Sequence, residues 1–165
     1  MLDGLEAYLR GGGRLMYLGG NGFYWRTAFH PALSGVVEVR RKGQGFLGPT
    51  SVPEGHVSLT GEVAGTWASV GRPPNLICGV GFVTQGFDAC TGYRVLPASR
   101  DPRAAFVFEG VGQGIVGDFG MLQGGAAGYE IDRADAALGT PRHALVVASS
   151  EQHSNIYEVS ASSFM

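Results

Sequence analysis

The sequence has few lysines and little charge, and these shortages exclude several classes of protein. Of the 12 basic residues only Lys42 is a lysine, and the formal net charge is −2. The densest basic run, residues 40–42, is too short to predict nucleic-acid binding as the main function. No apolar run approaches the roughly 20 residues that a membrane-spanning helix needs. The expected partner is therefore neither a nucleic acid nor a membrane.

Cysteine is also scarce, and this bears on the cellular compartment. Cys78 and Cys90 are the two cysteines and show no CxxC spacing, so neither a disulfide framework nor a zinc ribbon is expected. Residues 1–4 carry no basic region ahead of an apolar core, and no signal peptide is visible. We therefore expect a cytoplasmic protein. Cys78 falls in an apolar, strand-like run, where an inert buried thiol is expected in preference to a reactive one.

Glycine, by contrast, is abundant. It accounts for 28 of the 165 residues, more than twice its usual share of about 7%. Hydrophobic residues make up 44% of the chain and aromatic residues 10%, enough apolar surface to offset the entropy that keeps disordered chains open. The composition therefore predicts a folded, loop-rich protein whose backbone often takes tight or left-handed conformations.

The first residues predict a short helix followed by a strand. Leu2, Leu5 and Leu9 recur on one helical face, and the glycines at 11–13 end the helix. Residues 14–18 then predict a buried strand. This order is typical of an α/β domain. Because such a helix usually packs on a strand that precedes it, we expect the chain to begin inside a domain.

The rest of the chain predicts strands and few helices. The predicted strands are 36–41, the apolar run 76–83, 104–111, 126–133 and 144–149, whereas 46–53 predicts a loop. No long helix is expected after residue 12, and no repeat or linker divides the chain. We therefore expect one structural unit over residues 1–165, α/β in class or α+β in the part present.

Two sequence features that could indicate a nucleotide site or a metal site lack the neighbouring residues that such sites need. Residues 112–117 fit GxGxxG after a predicted strand, but a dinucleotide site then needs a helix, and the glycines that follow do not support one. The four histidines show neither HxH nor HExxH spacing. We therefore expect no nucleotide site and no metal site built from this chain alone.

The segment Gly19–Trp25, GGNGFYW, is a candidate binding site. It follows a predicted strand, and ligands of α/β folds bind at the carboxyl ends of strands. Asn21 offers both a donor and an acceptor, while Phe23, Tyr24 and Trp25 would form the walls and bind substrate. The alternative is an Asn-Gly turn followed by aromatic residues of the core. The segment alone leaves both interpretations open.

The segment 128–133, GYEIDR, is the second candidate. Glu130 and Asp132 lie on the same side of the predicted strand, and two neighbouring carboxylates can raise the pKa of one of them, which suits a general base. Arg133 would orient one carboxylate or bind a substrate anion. The alternative is a network of ion pairs at the surface.

Together these segments resemble the C-terminal region of the large (beta) subunit of the N,N-dimethylformamidase family. The resemblance covers nearly the whole chain in collinear order, and GGNGFYW and GYEIDR are its most specific motifs. The matching segments are GGGRLMYLGGNGFYWRTAFHP (11–31), VVEVRR (36–41), TGEVAGTW (60–67), GRPPNLICGVGFVTQGFD (71–88) and GYEIDRADAALGTPRHALVVASSEQHSN (128–155).

The resemblance implies an amidohydrolase that splits N-substituted formamides into formate and an amine. It also implies a domain similar to class I glutamine amidotransferases, without their cysteine nucleophile. A mononuclear iron held by two tyrosines and a glutamate is implied to activate the water. Asn21 and Glu130 match active-site positions of the family, where Asn21 would orient the substrate or oxyanion and Glu130 would handle protons.

The chain departs from the family pattern in one respect. The segment resembling HPEYWS, which supplies the glutamate ligand, precedes the matched part, as do the tyrosine ligands; Tyr17, Tyr24 and Tyr129 are not their counterparts. We therefore expect a C-terminal part of the catalytic domain, which alone binds no iron and hydrolyses no formamide. The implied partners are the rest of the large subunit and a small subunit, and exposed apolar edges predict self-association.

Two other functions remain open at this stage. The chain would be a non-catalytic binding or scaffolding module in which GGNGFYW forms an aromatic pocket, or an amidotransferase-like domain kept for assembly. The position of Glu130 distinguishes the enzyme from the binding module. An enzyme needs this carboxylate beside Asn21 in an open cleft, and a binding module does not.

Overall fold

The computed structural model of the protein describes residues 1–18, 21–40, 55–85, 88–121 and 123–154, together with the backbone of 158–159. The helices are α1 (Leu2–Arg10) and the single turn α2 (Asn75–Cys78), with short 3₁₀ helices at Ala68–Val70, Pro97–Arg100, Ala105–Phe108 and Ala136–Leu138. The strands are β1 (Thr27–Phe29), β2 (Val37–Val39), β3 (Gly81–Gln85), β4 (Tyr93–Val95), β5 (Ile115–Val116), β6 (Glu130–Arg133), β7 (Ala148–Ser150) and β8 (Glu158–Val159).

The strands of the described residues form small antiparallel sheets. β1 pairs with β2, β3 lies between β6 and β8, and β4 lies between β5 and β7. The expectation of a strand-rich chain with few helices is confirmed. No parallel strand pair, on which α/β domains are built, occurs among the described residues, so the pairing follows the α+β pattern.

The N-terminal helix is confirmed. α1 buries Leu2, which is 2% exposed, and the chain turns at Gly12 with a φ of +86°. Arg72 holds the first turns of α1 in place, because its guanidinium pairs with Asp3 at 2.8 Å and with Glu6. No helix of the described residues is long and apolar enough to cross a membrane.

The prediction of a buried strand at 14–18 is wrong. The structure assigns no strand to these residues, and most of their apolar side chains face solvent, with Met16 79% and Leu18 86% exposed. Tyr17 is the half-buried exception. A run of apolar residues favours a strand only when another strand pairs with it.

Two further apolar runs take helical turns where a strand was predicted. In 104–111 the strand prediction is wrong: Ala104 and Ala105 donate backbone hydrogen bonds to the carbonyl of Asp101, each at 2.8 Å, and this turn leads into the 3₁₀ helix at Ala105–Phe108. In 76–83 the first part is helical, so Cys78 lies in α2 and not in a strand. Gly79, with a φ of +78°, then redirects the chain into β3.

Two predicted strands are confirmed in shortened form, as β2 and β6. The strand predicted at 144–149 begins only at Ala148 and extends to Ser150, as β7. Arg41 and the predicted loop 46–53 lie outside the described residues, as do Gly19 and Gly20. Within the GxGxxG run, Ile115 and Val116 form β5 and pair with β4. A strand stands where a dinucleotide site needs the start of a helix.

The buried core of the described residues consists of small side chains. Ala28, Val57 and Ala64 form one cluster, with Leu59 packed against it. Tyr24 is a larger buried residue, 5% exposed, and its ring lies edge-on to Phe82 of β3 at 5.3 Å between centroids. This contact joins the GGNGFYW segment to the sheet that carries β6.

Candidate functional site

Asn21 and Glu130 meet in the folded chain. The Nδ2 of Asn21 donates a hydrogen bond of 2.9 Å to Oε1 of Glu130, across 109 residues of sequence. Glu130 is the first residue of β6, where it lies opposite Gln85 of β3. The two most specific motifs of the sequence therefore form one site, with the carboxylate beside the amide.

Tyr17 contacts the turn that carries Asn21 through the two residues that follow it. The backbone N–H of Gly22 donates to the Tyr17 hydroxyl at 2.6 Å. The next residue, Phe23, has a φ of +57°, a left-handed conformation that non-glycine residues seldom adopt. Its ring lies 5.7 Å from that of Tyr17. The Asn-Gly turn of the alternative interpretation is therefore present, and it presents Asn21 to Glu130.

Glu130 and Asp132 lie close enough to influence one another. The surrounding protein, and then the Glu130 carboxylate, raise the pKa of Asp132 above its ordinary value of 3.8. The sequence predicted that one of the two carboxylates would have a raised pKa, and the structure assigns that pKa to Asp132.

The three aromatic residues differ in their surroundings. Tyr24 is buried and packs edge-on against Trp25, with 5.0 Å between the centroids, whereas Phe23 and Trp25 are half-buried. All three line a cavity of about 690 Å³ that Asn21 and Tyr17 also line. The aromatic walls predicted from the sequence are present in the structure, with Tyr24 also serving as a residue of the core.

A second cavity, also of about 690 Å³, lies on the side of Glu130. Glu130, Asp132, Cys78 and Tyr93 line it, together with residues 144–150. The hydrogen bond from Asn21 to Glu130 therefore connects residues of two cavities. A small molecule entering either cavity would reach a wall that belongs to this pair.

Arg133 does not orient the two carboxylates. Its Nη2 lies 2.7 Å from Oδ2 of Asp135, and Asp135 also accepts a hydrogen bond from the backbone of Ala137. The predicted pairing of Arg133 with Glu130 or Asp132 is thus replaced by a pairing two residues along the chain. Arg133 still lines the second cavity, and its role in substrate binding stays a prediction.

Sequence analysis missed two residues of the site. Tyr17 was grouped with the predicted strand, although the glycine directly after Asn21 is the signal of a close approach by another group. Cys78 was noted only as a structural thiol. Burial, and then the neighbouring Asp132 carboxylate, raise the pKa of the Cys78 thiol to about 11, which agrees with the expected inert thiol.

The iron centre that the family resemblance implies stays a prediction, with its ligands expected from outside this chain. Among the described residues, no three His, Cys, Asp or Glu side chains come together as a candidate metal site. His30, for example, lies in a turn, where its Nδ1 accepts backbone hydrogen bonds from Ala32 and Leu33.

Comparison with known proteins gives the same family for the whole chain. The family model of the N,N-dimethylformamidase beta subunit-like, C-terminal family matches residues 1–164. The chain is 42% identical over 162 residues to the N,N-dimethylformamidase beta subunit of Alcaligenes sp and 41% identical to that of Paracoccus aminophilus. Each match covers 95% of this chain and 21% of the relative, so the chain spans about a fifth of the length of these proteins. The chain belongs to the N,N-dimethylformamidase beta subunit-like, C-terminal family.

Proposed function

We propose that this chain supplies part of the active site of an amidohydrolase that hydrolyses N-substituted formamides to formate and an amine. The observation that carries the proposal is the hydrogen bond between Asn21 and Glu130. Family membership supports it, since the relatives are N,N-dimethylformamidase beta subunits. The proposal includes the rest of such a subunit, and a smaller subunit, as partners in the cytoplasm.

Asn21 acts on the carbonyl oxygen of the substrate in this proposal. Its Nδ2 carries two hydrogens. One is donated to Glu130, and the other, which has no partner among the described residues, is donated to the ligand. When water adds to the carbonyl carbon, negative charge develops on the oxygen. A donor placed at that point stabilises the transition state more than the ground state.

Glu130 moves the protons of the same reaction. Its carboxylate accepts a proton from the attacking water and returns it to the nitrogen of the leaving amine, so that the C–N bond breaks and formic acid and the neutral amine separate. The formic acid then becomes formate by giving its proton to the amine or to solvent. The hydrogen bond from Asn21 fixes the orientation of this carboxylate. Iron would supply Lewis-acid activation of the water in a complete family protein, with ligands from outside this chain.

A second part of the proposal concerns the fold of the chain and its activity in isolation. We infer that the chain is the C-terminal part of a domain similar to class I glutamine amidotransferases, and that alone it neither binds iron specifically nor releases formate. Iron analysis and a formate assay on the purified chain test this inference. One iron per chain together with turnover would overturn it.

The sharpest test of Glu130 is a chimera. This chain replaces the matched segment of the Paracoccus aminophilus N,N-dimethylformamidase beta subunit, and formate release from N,N-dimethylformamide is measured. Removal of a general base typically lowers a rate by about 10²–10⁴-fold, and we expect a loss of that size for Glu130→Gln. The matched control Glu109→Gln changes an exposed carboxylate outside both cavities and should retain the parental rate. Equal activity of the two variants would remove Glu130 from the mechanism.

A non-catalytic binding module is the second candidate. The aromatic cavity beside Asn21 favours it, because such a pocket holds a small molecule without any reaction. The same chimera distinguishes the two functions. Normal turnover of Glu130→Gln, with weaker substrate binding after Trp25→Ala, is the result expected of a binding module.

A further inference from the structure

Tyr17 lies under the turn that presents Asn21, and its side chain contacts the two residues that follow Asn21. Its hydroxyl accepts the hydrogen bond from the backbone N–H of Gly22, and its ring packs against that of Phe23 at an interplanar angle of 51°. A single side chain therefore fixes the backbone immediately after Asn21.

The packing between Tyr17 and Gly22 leaves no room for a side chain at position 22. A Cβ built on Gly22 would lie 2.6 Å from Cε2 of Tyr17 and 2.7 Å from its hydroxyl oxygen. Such distances are too short for ordinary carbon contacts, so either the ring or the turn would have to move. Gly22 thus allows the phenol ring to occupy the space that a side chain at this position would fill.

Tyr17 also faces the other half of the site. Burial is the main factor that raises the pKa of Tyr17 above its ordinary value of 10.0, and the charges of Asp132, Cys78 and Glu130 raise it further, against the lowering effect of the Gly22 hydrogen bond. The phenol is therefore neutral at neutral pH. The phenol is thus hydrogen-bonded to the Asn21 turn and near enough to the β6 carboxylates to feel their charge.

We propose that Tyr17 is a positioning residue, whose ring and hydroxyl hold the Asn21–Phe23 turn so that the Asn21 amide faces Glu130. This inference rests on the proposed function in one respect: the alignment of the amide and the carboxylate would serve formamide hydrolysis. The alignment itself is a property of the free chain and is measured without turnover.

The chain contains a matched control for this arrangement. The hydroxyl of Tyr8 bonds the backbone N–H and C=O of Arg14, both at 3.2 Å, and a Cβ at Gly13 would lie 2.4 Å from the Tyr8 ring. The same pairing of a tyrosine with a glycine thus occurs at the end of α1. Tyr8→Phe removes an equivalent hydrogen bond outside the candidate site.

The test is nuclear magnetic resonance of the full chain, labelled with ¹⁵N, at neutral pH. Glu130→Gln should shift the side-chain amide signals of Asn21, because it removes the charge that accepts their hydrogen bond, and the size of this shift is the response of Asn21 to Glu130. Asp132→Asn, made in the same way, shows how much of the shift comes from the neighbouring carboxylate. In Tyr17→Phe the response of Asn21 should fall to less than half, with the backbone signals of α1 unchanged. Gly22→Ala should do the same, and Tyr8→Phe should keep the full response.

Each result decides the proposal. A full Asn21 response in Tyr17→Phe would overturn it, as would a parental chain in which Asn21 does not respond to Glu130. Loss of the α1 signals in both Tyr17→Phe and Gly22→Ala would also overturn it, because the residues would then serve the whole fold. If the coupling is lost as expected, yet the parental chimera releases no formate, the proposed function fails and the positioning role stands.

Discussion

Cys78 shows at the scale of a single residue how surroundings determine chemistry. Its side chain is half-buried at the end of α2 and lines the cavity of Glu130 and Asp132. With a pKa of about 11, the thiol carries its proton throughout the physiological range. A thiol reacts with electrophiles as the thiolate, so Cys78 is a poor nucleophile although it lines a cavity.

We expect slow alkylation of Cys78. At pH 8 only about one thiol in a thousand is ionised when the pKa is 11, against about one in four for an unperturbed thiol of pKa about 8.5. In a Cys90→Ser chain, reaction with iodoacetamide should therefore be about 250-fold slower than that of a model thiol, and its rate should rise steadily up to pH 11. Mass spectrometry of quenched samples measures the rate. A rate that levels off near pH 9 would contradict the assigned environment.

At the scale of elements, Glu38 joins β2 to the cluster of small core residues. Its carboxylate accepts hydrogen bonds from the backbone N–H groups of Ser58 at 3.0 Å and Leu59 at 2.9 Å, and pairs with the guanidinium of Arg40. The Ser58 hydrogen bond, followed by that of Arg40, lowers the pKa of Glu38 to about 2 from an ordinary 4.5. Because Leu59 packs on the core cluster, the ionised carboxylate stabilises this contact.

The lowered pKa predicts how stability depends on pH. Glu38 ionises in the folded chain above pH about 2 and in the unfolded chain only above about 4.5, so its contribution is complete above 4.5 and is lost as the pH falls through 2. In thermal unfolding, the melting temperatures of the parental chain and of Glu38→Gln should differ most at pH 6 and should converge as the pH falls towards 2. The control Glu109→Gln should follow the parental curve. A difference of constant size between pH 6 and pH 2 would contradict this role.

Asn75 connects α2 to the end of β6. It is 1% exposed, and its Nδ2 donates to the carbonyl of Arg133 at 2.9 Å and to the hydroxyl of Thr140 at 3.1 Å. The strand that carries Glu130 is thereby attached to the helical turn that carries Cys78. A buried amide in this position stabilises the fold because it donates to acceptors on two other segments of the chain.

Asn75→Ala should therefore destabilise the chain strongly. Loss of a hydrogen bond from a buried group typically costs about 1–3 kcal/mol in the free energy of unfolding. Urea denaturation at pH 7 measures the change, with Asn21→Ala as a control, since an exposed substitution changes stability by about 0.5 kcal/mol or less. Similar losses for the two variants would show that Asn75 has no special structural role.

At the scale of the whole molecule, many large apolar side chains face solvent. Exposed fractions are 79% for Met16, 86% for Leu18, 73% for Phe106, 80% for Phe119 and 103% for Met121. The core of the described residues is built from small side chains, so the hydrophobic content of the sequence is only partly used inside. Large apolar side chains exposed to this extent favour association.

The chain alone should therefore self-associate. Sedimentation analysis at increasing concentration should give masses above the 17.3 kDa of one chain. The double variant Phe106→Ser and Phe119→Ser should shift the distribution towards monomer, because it removes two of the exposed rings. Arg142→Ser, at an exposed polar position, serves as control. A single 17.3 kDa species at all concentrations would contradict the prediction.

The sequence by itself determined the features that depend on near neighbours. The helical spacing of Leu2, Leu5 and Leu9 predicts α1, the alternation at 130–133 predicts β6, and the Asn-Gly pair predicts a turn. Glycine, abundant in composition, is accounted for at Gly12 and Gly79, where φ is positive, and at Gly22, where a ring occupies the side-chain space. These properties follow from backbone sterics and periodicity within a few residues.

Only the tertiary structure decided which distant groups meet. The hydrogen bond between Asn21 and Glu130 joins residues 109 positions apart, and the one from Asn75 to the Arg133 carbonyl spans 58 positions, so neither is encoded in any local pattern. The helical turn at 105–108 differs, because its backbone hydrogen bonds to Asp101 are local, but the apolar pattern does not indicate them. The physical reason is that hydrogen bonds, burial and pKa values depend on contacts between residues far apart in sequence, whereas periodicity records only how each segment alternates between apolar and polar.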